Sequence, residues 1–159
     1  MRNWVEGKLK IRGDKKNIKR FLEEELEEVI YKNKSSKNKV KAKKFKYNNF
    51  RIEATNVMSV FKFTNTRNYL SETKISTFGC GESKGKDVLV VGFEAAWLID
   101  AEYFAEMSKK YDIDFKIYAF EQGKEFNQNI EVVKGEIIKD ELIEFDDYIW
   151  ECIDPTIGG

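Results

Sequence analysis

The run Asp87–Phe93 constrains the fold of this chain more than any other segment. Val88-Leu89-Val90-Val91 is apolar at four consecutive positions, three of them β-branched. A run that short and that β-rich reads as a strand, and its apolar residues at both parities predict a central strand covered on both faces. A chain with such a strand must supply neighbours to pair with it and helices to cover it. The rest of the sequence is legible as those neighbours.

Trp4 to Ile11 alternates around Leu9 and Ile11, with Lys8, Lys10 and Arg12 between, and predicts a half-buried strand. Gly13-Asp14 turns the chain, with Asp14 as a candidate N-cap. Ile18, Phe21, Leu22, Leu26, Val29 and Ile30 recur at helical spacing and predict one amphipathic helix over residues 15–31, its glutamates 23–28 mostly on the wet side. Residues 32–46 hold eight lysines and no acid, which predicts a mobile loop or an extended basic arm. Strands are expected at Phe50–Glu53, Val60–Phe63, Thr73–Phe78 and Asp114–Phe120. Asp100 is expected to cap a second helix with Tyr103, Phe104 and Met107 as its buried stripe. Phe126–Val133 and Glu136–Ile138, separated by Lys134-Gly135, predict a hairpin. A third amphipathic helix is expected to open at Asp140 and end near Asp154-Pro155.

The expected architecture is a single α+β domain over residues 1–159. It is a ferredoxin-like α/β sandwich with a basic insertion over 32–50, an added C-terminal hairpin and an acidic helix over 140–154. Several segments resemble the Api-type ferredoxin-like family of small phage and plasmid proteins. Asn3-Trp4 followed by Leu9-Lys10-Ile11-Arg12-Gly13 resembles that family's first strand and glycine, and Phe93-Glu94-Ala95-Ala96-Trp97 resembles its strand end before the second helix. Phe120-Glu121-Gln122-Gly123 and Lys134-Gly135 resemble its terminal hairpin. The resemblance implies the sandwich fold and a mobile-element setting, in which small accessory proteins act by binding host components.

Charge narrows the function. Residues 1–51 carry 17 Lys and Arg against 7 acids, and residues 52–159 carry 11 against 21, so the formal zero is two opposed fields of +10 and −10. Such fields speak to partners rather than to fold. No histidine is present, which removes the commonest general base and a common metal ligand, and no cofactor or metal is called for. Cys80 and Cys152 are expected to be ordinary thiols. The segment after Met1 has no long apolar run, and no stretch approaches the ~18 apolar residues of a membrane span, so a cytoplasmic protein with no membrane contact is expected.

Gly79 to Lys86 has the look of a phosphate loop, but Cys80 replaces the first required glycine, Asp87 replaces the Ser or Thr, and a strand follows. A hairpin turn is the reading. Three functions remain. The leading one is a non-enzymatic accessory that binds, and inhibits, a host protein or ribonucleoprotein complex such as a nucleic-acid-handling defence system. Asp140, Glu144, Asp147, Glu151 and Asp154 would form one acidic stripe on a helix, with Trp150 as an anchor. The second is a nonspecific nucleic-acid binder using Lys32, Lys34, Lys37, Lys39, Lys41, Lys43, Lys44 and Lys46, with Phe45 and Tyr47 interleaved. The third is a small hydrolase drawing on Glu94, Asp100, Asp146 or Asp147. The sequence sets no oligomeric state.

Overall fold

The computed structural model describes residues 3–30 and 33–159, with the side chains of residues 33–37 outside that description. β1 (Trp4–Gly13) leads into α1 (Lys15–Glu25), then β2 (Leu26–Ile30), β3 (Asn33–Lys39), β4 (Lys43–Phe45), β5 (Asn49–Glu53), β6 (Ser59–Phe63), β7 (Asn68–Leu70) and β8 (Lys74–Ser76). The chain continues through β9 (Gly81–Ser83), β10 (Lys86–Ala96), α2 (Ala101–Tyr111), β11 (Asp114–Glu121), β12 (Phe126–Val133), β13 (Glu136–Glu144) and α3 (Tyr148–Glu151).

One antiparallel sheet runs β13-β12-β11-β1-β10-β7-β6-β2-β3, with β9 paired to β10; β4-β5-β8 form a smaller sheet. Within the large sheet, β11-β1-β10-β7 with α1 and α2 is the ferredoxin-like arrangement. α2 crosses from β10 to β11 with β1 between them, whereas α1 leads from β1 to β2, which lies beyond β10, β7 and β6 in the sheet. The expected fold class is therefore present, elaborated between α1 and β7 and extended by β12 and β13.

Helices and sheet meet around Phe21, which stacks on Phe63 at 5.5 Å and meets Phe115 and Tyr111 edge-on at 5.3 and 5.4 Å. Phe104 adds edge contacts to Phe93 and Phe115. Tyr111 Oη donates to Glu25 at 2.5 Å and to Glu24 at 2.8 Å, tying the end of α2 to the end of α1. Burial pushes the Glu25 carboxyl up, but the hydrogen bonds from Tyr111 and Lys110 outweigh it and hold its pKa below the usual value. Gly7 is required on β1, because an added Cβ would stand 2.0 Å from the Tyr118 carbonyl oxygen on β11.

Four expectations are corrected. α1 stops at Glu25, and the chain turns extended at Leu26 to pair β2 with β6. Glu27 and Glu28 are consequently buried, with Glu28 accepting from the backbone of Thr55 and Asn56. The basic segment is two edge strands, β3 and β4, rather than a loop. The expected helix over 140–154 is absent: Asp140 and Glu144 lie in β13, which pairs with β12 along its whole length, and only Tyr148–Glu151 is helical. For β2 and β13, strand pairing satisfied backbone groups that a helix would have left open on the neighbouring edge. Finally, β10 is central but covered on one side only. Val90 is 47% exposed, because the helices occupy the opposite face of the sheet.

Local signals held better. Asp100 Oδ1 accepts from Glu102 N at 3.0 Å and caps α2 as expected. Phe104 lies in the buried stripe of α2 with Ala105 and Ser108, whereas Tyr103 and Met107 flank it. Lys84-Gly85 and Lys134-Gly135 make two-residue turns with φ of 52° and 74°, and 50° and 76°. Asp14 occupies the N-cap position of α1, but its carboxylate takes Lys86 Nζ at 2.9 Å rather than capping the helix. Both cysteines are free thiols. Among the described residues, no helix is long and apolar enough to cross a membrane.

Candidate nucleic-acid interface

A groove of about 610 Å³ opens between α1 and the β4–β5 hairpin. Lys15, Lys16 and Lys19 line it from the first turns of α1; Lys44, Phe45, Tyr47, Asn48, Asn49 and Phe50 line it from the hairpin. Four lysines and three aromatic residues therefore line one surface; no carboxylate lines it, but Lys15 pairs with Asp87 at 3.8 Å and Lys19 with Glu23 at 3.6 Å just outside it. α1 contributes because its charges are segregated along the chain. Lys15, Lys16, Lys19 and Arg20 precede Glu23, Glu24 and Glu25, so the basic end of the helix lies toward the hairpin.

The hairpin is anchored from behind. Phe50 and Ile52 are buried, Phe50 N donates to Thr77 Oγ1 at 3.0 Å, and β5 pairs with β8. The Arg51 guanidinium lies 3.9 Å above the Phe45 ring, which meets Phe78 edge-on at 5.5 Å. At the tip, Tyr47 and Asn48 have φ of 58° and 65°, closed by Asn49 N donating to Lys46 O at 3.2 Å. Tyr47 is 87% exposed.

Of the eight expected lysines, Lys44 lines the groove, and Lys39, Lys41, Lys43 and Lys46 are exposed on β3, β4 and their connections, outside its lining. Lys32 lies outside the described residues; Lys34 and Lys37 have backbone in β3, but their side chains lie outside the description. Sequence reasoning missed Lys15, Lys16 and Lys19. The signal available for them was the sign change along α1, which a count over the whole helix averages away.

The acidic stripe is not assembled. Asp140 and Glu144 share one face of β13, Asp147 caps α3 by accepting from Trp150 N at 3.4 Å, and Glu151 Oε2 accepts from Asp147 N at 3.0 Å. Asp154 Oδ1 accepts from Thr156 Oγ1 at 2.6 Å. What remains of that surface is apolar: Trp150 is 85% exposed between exposed Ile149 and Ile153. Trp97 is half exposed at φ 73°, and Trp4 is half-buried against Tyr69.

The carboxylates of the hydrolase reading are dispersed. Asp100 and Asp147 are helix caps, and Asp146 is exposed. Glu94 on β10 faces Glu6 on β1; burial first, and the neighbouring Glu6 charge second, push its pKa above the usual carboxylate value. Among the described residues, no three His, Cys, Asp or Glu side chains are grouped to hold a metal ion.

On the sheet face away from the helices, β10 presents Val88, Val90, Gly92 and Glu94, with no aromatic to stack on a base. The C-terminal segment lies along the same side. Gly159 N donates to Trp4 O at 2.8 Å, Gly158 N to Glu6 Oε2 at 3.0 Å, and Tyr148 Oη to Asn127 Oδ1 at 3.2 Å.

Residues 78–155 match the model of the family described as the ferredoxin-like domain in Api92-like protein, which bears out the family resemblance read from the sequence. No curated protein and no solved structure matches the chain.

Proposed function

We propose that this is a non-enzymatic binding protein whose ligand is the phosphate backbone of a nucleic acid, held in the groove between α1 and the β4–β5 hairpin. The observation that carries this reading is the convergence of Lys15, Lys16, Lys19 and Lys44 on one groove with no carboxylate in its lining, with Lys41, Lys43 and Lys46 exposed on the same stretch of chain as Lys44. Such a surface attracts a polyanion, releases its counterions and reads no sequence. The match to residues 78–155 fits an accessory protein of the Api92-like kind but does not choose its ligand, since the groove is built from residues preceding that segment.

The test is electrophoretic mobility of DNA and RNA with purified protein over a salt series. A shift at low salt, with affinity falling linearly on a logarithmic plot by ~0.7–0.9 per phosphate neutralised, supports the reading. No shift at low salt overturns it.

A second reading, an inhibitor of a host protein or ribonucleoprotein complex, draws on the exposed Ile149, Trp150 and Ile153 rather than on an acidic helix. A Trp150→Ala variant that loses a co-purifying partner supports it, and retention of that partner counts against it.

A further inference from the structure

The groove is more than a basic surface. Phe45, Phe50 and Tyr47 line it with the four lysines, and Tyr47 is the most exposed tyrosine among the described residues. A duplex shows a protein its phosphates and groove edges while its base faces are stacked away. Aromatic rings in a phosphate-binding groove gain contacts only when the bases are unpaired. The volume of about 610 Å³ lies within the ~300–1,000 Å³ of sites that enclose small organic molecules, whereas a duplex backbone would ride across the lysines without entering.

The tip of the hairpin points the same way. Tyr47 sits in the left-handed region, which is unfavourable for a bulky residue and ordinary for Gly or Asn. The ring gains no burial in exchange, being 87% exposed. Phe78, half exposed, and the Arg51–Phe45 stack extend flat surface along the hairpin. Asn48 beside Tyr47 offers both a donor and an acceptor, able to meet a base edge.

Building on the nucleic-acid reading, we infer that the ligand is single-stranded, with an unpaired base stacked on Tyr47 at the mouth of the groove and the flanking phosphates held by Lys15, Lys16, Lys19 and Lys44. The strand is gripped through its backbone and one or two base faces, so the preference is for single-strandedness and not for sequence.

The experiment is fluorescence anisotropy with a labelled 12-nucleotide single strand, as DNA and as RNA, and with the same sequence as a duplex. It compares the wild-type protein, Tyr47→Phe and Tyr47→Asn. Asn relaxes the left-handed backbone, so loss of binding in that variant reports the ring and not misfolding; a melting temperature no lower than the wild type's verifies this. The expected result is tenfold or greater preference of the wild type for the single strand. Tyr47→Phe keeps it, and Tyr47→Asn loses roughly 5- to 150-fold on the single strand, the range for one stacked base. Duplex affinity and its salt slope stay unchanged in Tyr47→Asn. Equal affinity for both forms, or single-strand affinity indifferent to Tyr47→Asn, overturns the inference while leaving nucleic-acid binding in place. Absence of binding to either form overturns both.

Discussion

The basic elaboration and the family-matched segment use their charges in opposite ways. In residues 78–155 several acids are tied into the fold itself. Asp114 Oδ2 takes the Arg12 guanidinium at 2.8 Å while its Oδ1 accepts from Lys134 N, Asp100 and Asp147 cap helices, and Glu121 accepts from the backbone of Gly123 and Lys124. In the elaboration, Lys39, Lys41, Lys43, Lys44 and Lys46 form no ion pair among the described residues. Opposed charge on the two stretches therefore does not mean equal availability. Part of the negative charge is structural, while these five lysines face solvent, where a partner can use them.

Changes at the unpaired groove lysines should move binding without stability, and changes at the acids tied into the fold should move stability without binding. The largest effect is expected from combining Lys16→Glu with Lys44→Glu. Nucleic-acid affinity should fall by about 100-fold at moderate salt, with a shallower salt slope and an unchanged urea midpoint. Unchanged binding would break the contrast on its basic side. Next is Asp114→Asn, which removes charge-assisted bonds to Arg12 and Lys134 across β1, β11 and the β12–β13 turn. A loss of about 1.5–3 kcal/mol by urea unfolding is expected, with nucleic-acid affinity within twofold of the parent. Asp100→Ala should cost about 0.5–2 kcal/mol, the usual worth of a side-chain N-cap, and again leave binding alone.

The smallest effect sharpens the acidic side. Glu94 and Glu6 face each other across β1 and β10, and burial together with the Glu6 charge raises the Glu94 pKa in the fold. A raised carboxyl pKa means that the folded chain keeps its proton where the unfolded chain has lost it. Its favourable contribution is thus present below the unfolded value near 4.5 and is lost as pH rises through the folded one. Glu94→Gln should accordingly be the more stable protein at pH 7, by about 0.2–1 kcal/mol as for a like-charge cross-strand pair. Thermal melts from pH 3.5 to 7.5 should show the advantage disappearing on acidification; an advantage independent of pH would assign the effect to packing.

The frame was legible where a segment's own residues decide its conformation. Leu9 and Ile11 alternate in β1, Phe115, Ile117 and Ala119 alternate in β11, and Asp100 caps α2 through a bond spanning two residues. The candidate site was half legible. Lys44, Phe45 and Tyr47 stood out in the sequence, but the three lysines of α1 did not, since nothing local says which helix a hairpin will face. The acidic helix failed for a related reason. Glu136 to Glu144 carries Ile137, Ile138, Leu142 and Ile143 at spacings that suit either a helix or a bulged strand, and β12, brought alongside by the Lys134-Gly135 turn, settled it.

By itself, then, the sequence determined the central strands, the turns, the cap of α2, the ferredoxin-like class and the existence of two opposed charge fields. These follow from side-chain alternation, from positive φ at defined turn positions, and from counting. Only the tertiary structure decided that α1 ends at Glu25, that the lysine run becomes edge strand, and that Lys44 joins Lys15, Lys16 and Lys19 of α1 in one groove with aromatic lining. Those outcomes depend on which unpaired backbone edge lies nearby, and strand pairing across long sequence separations outweighs helix propensities that differ by only ~0.7 kcal/mol per residue.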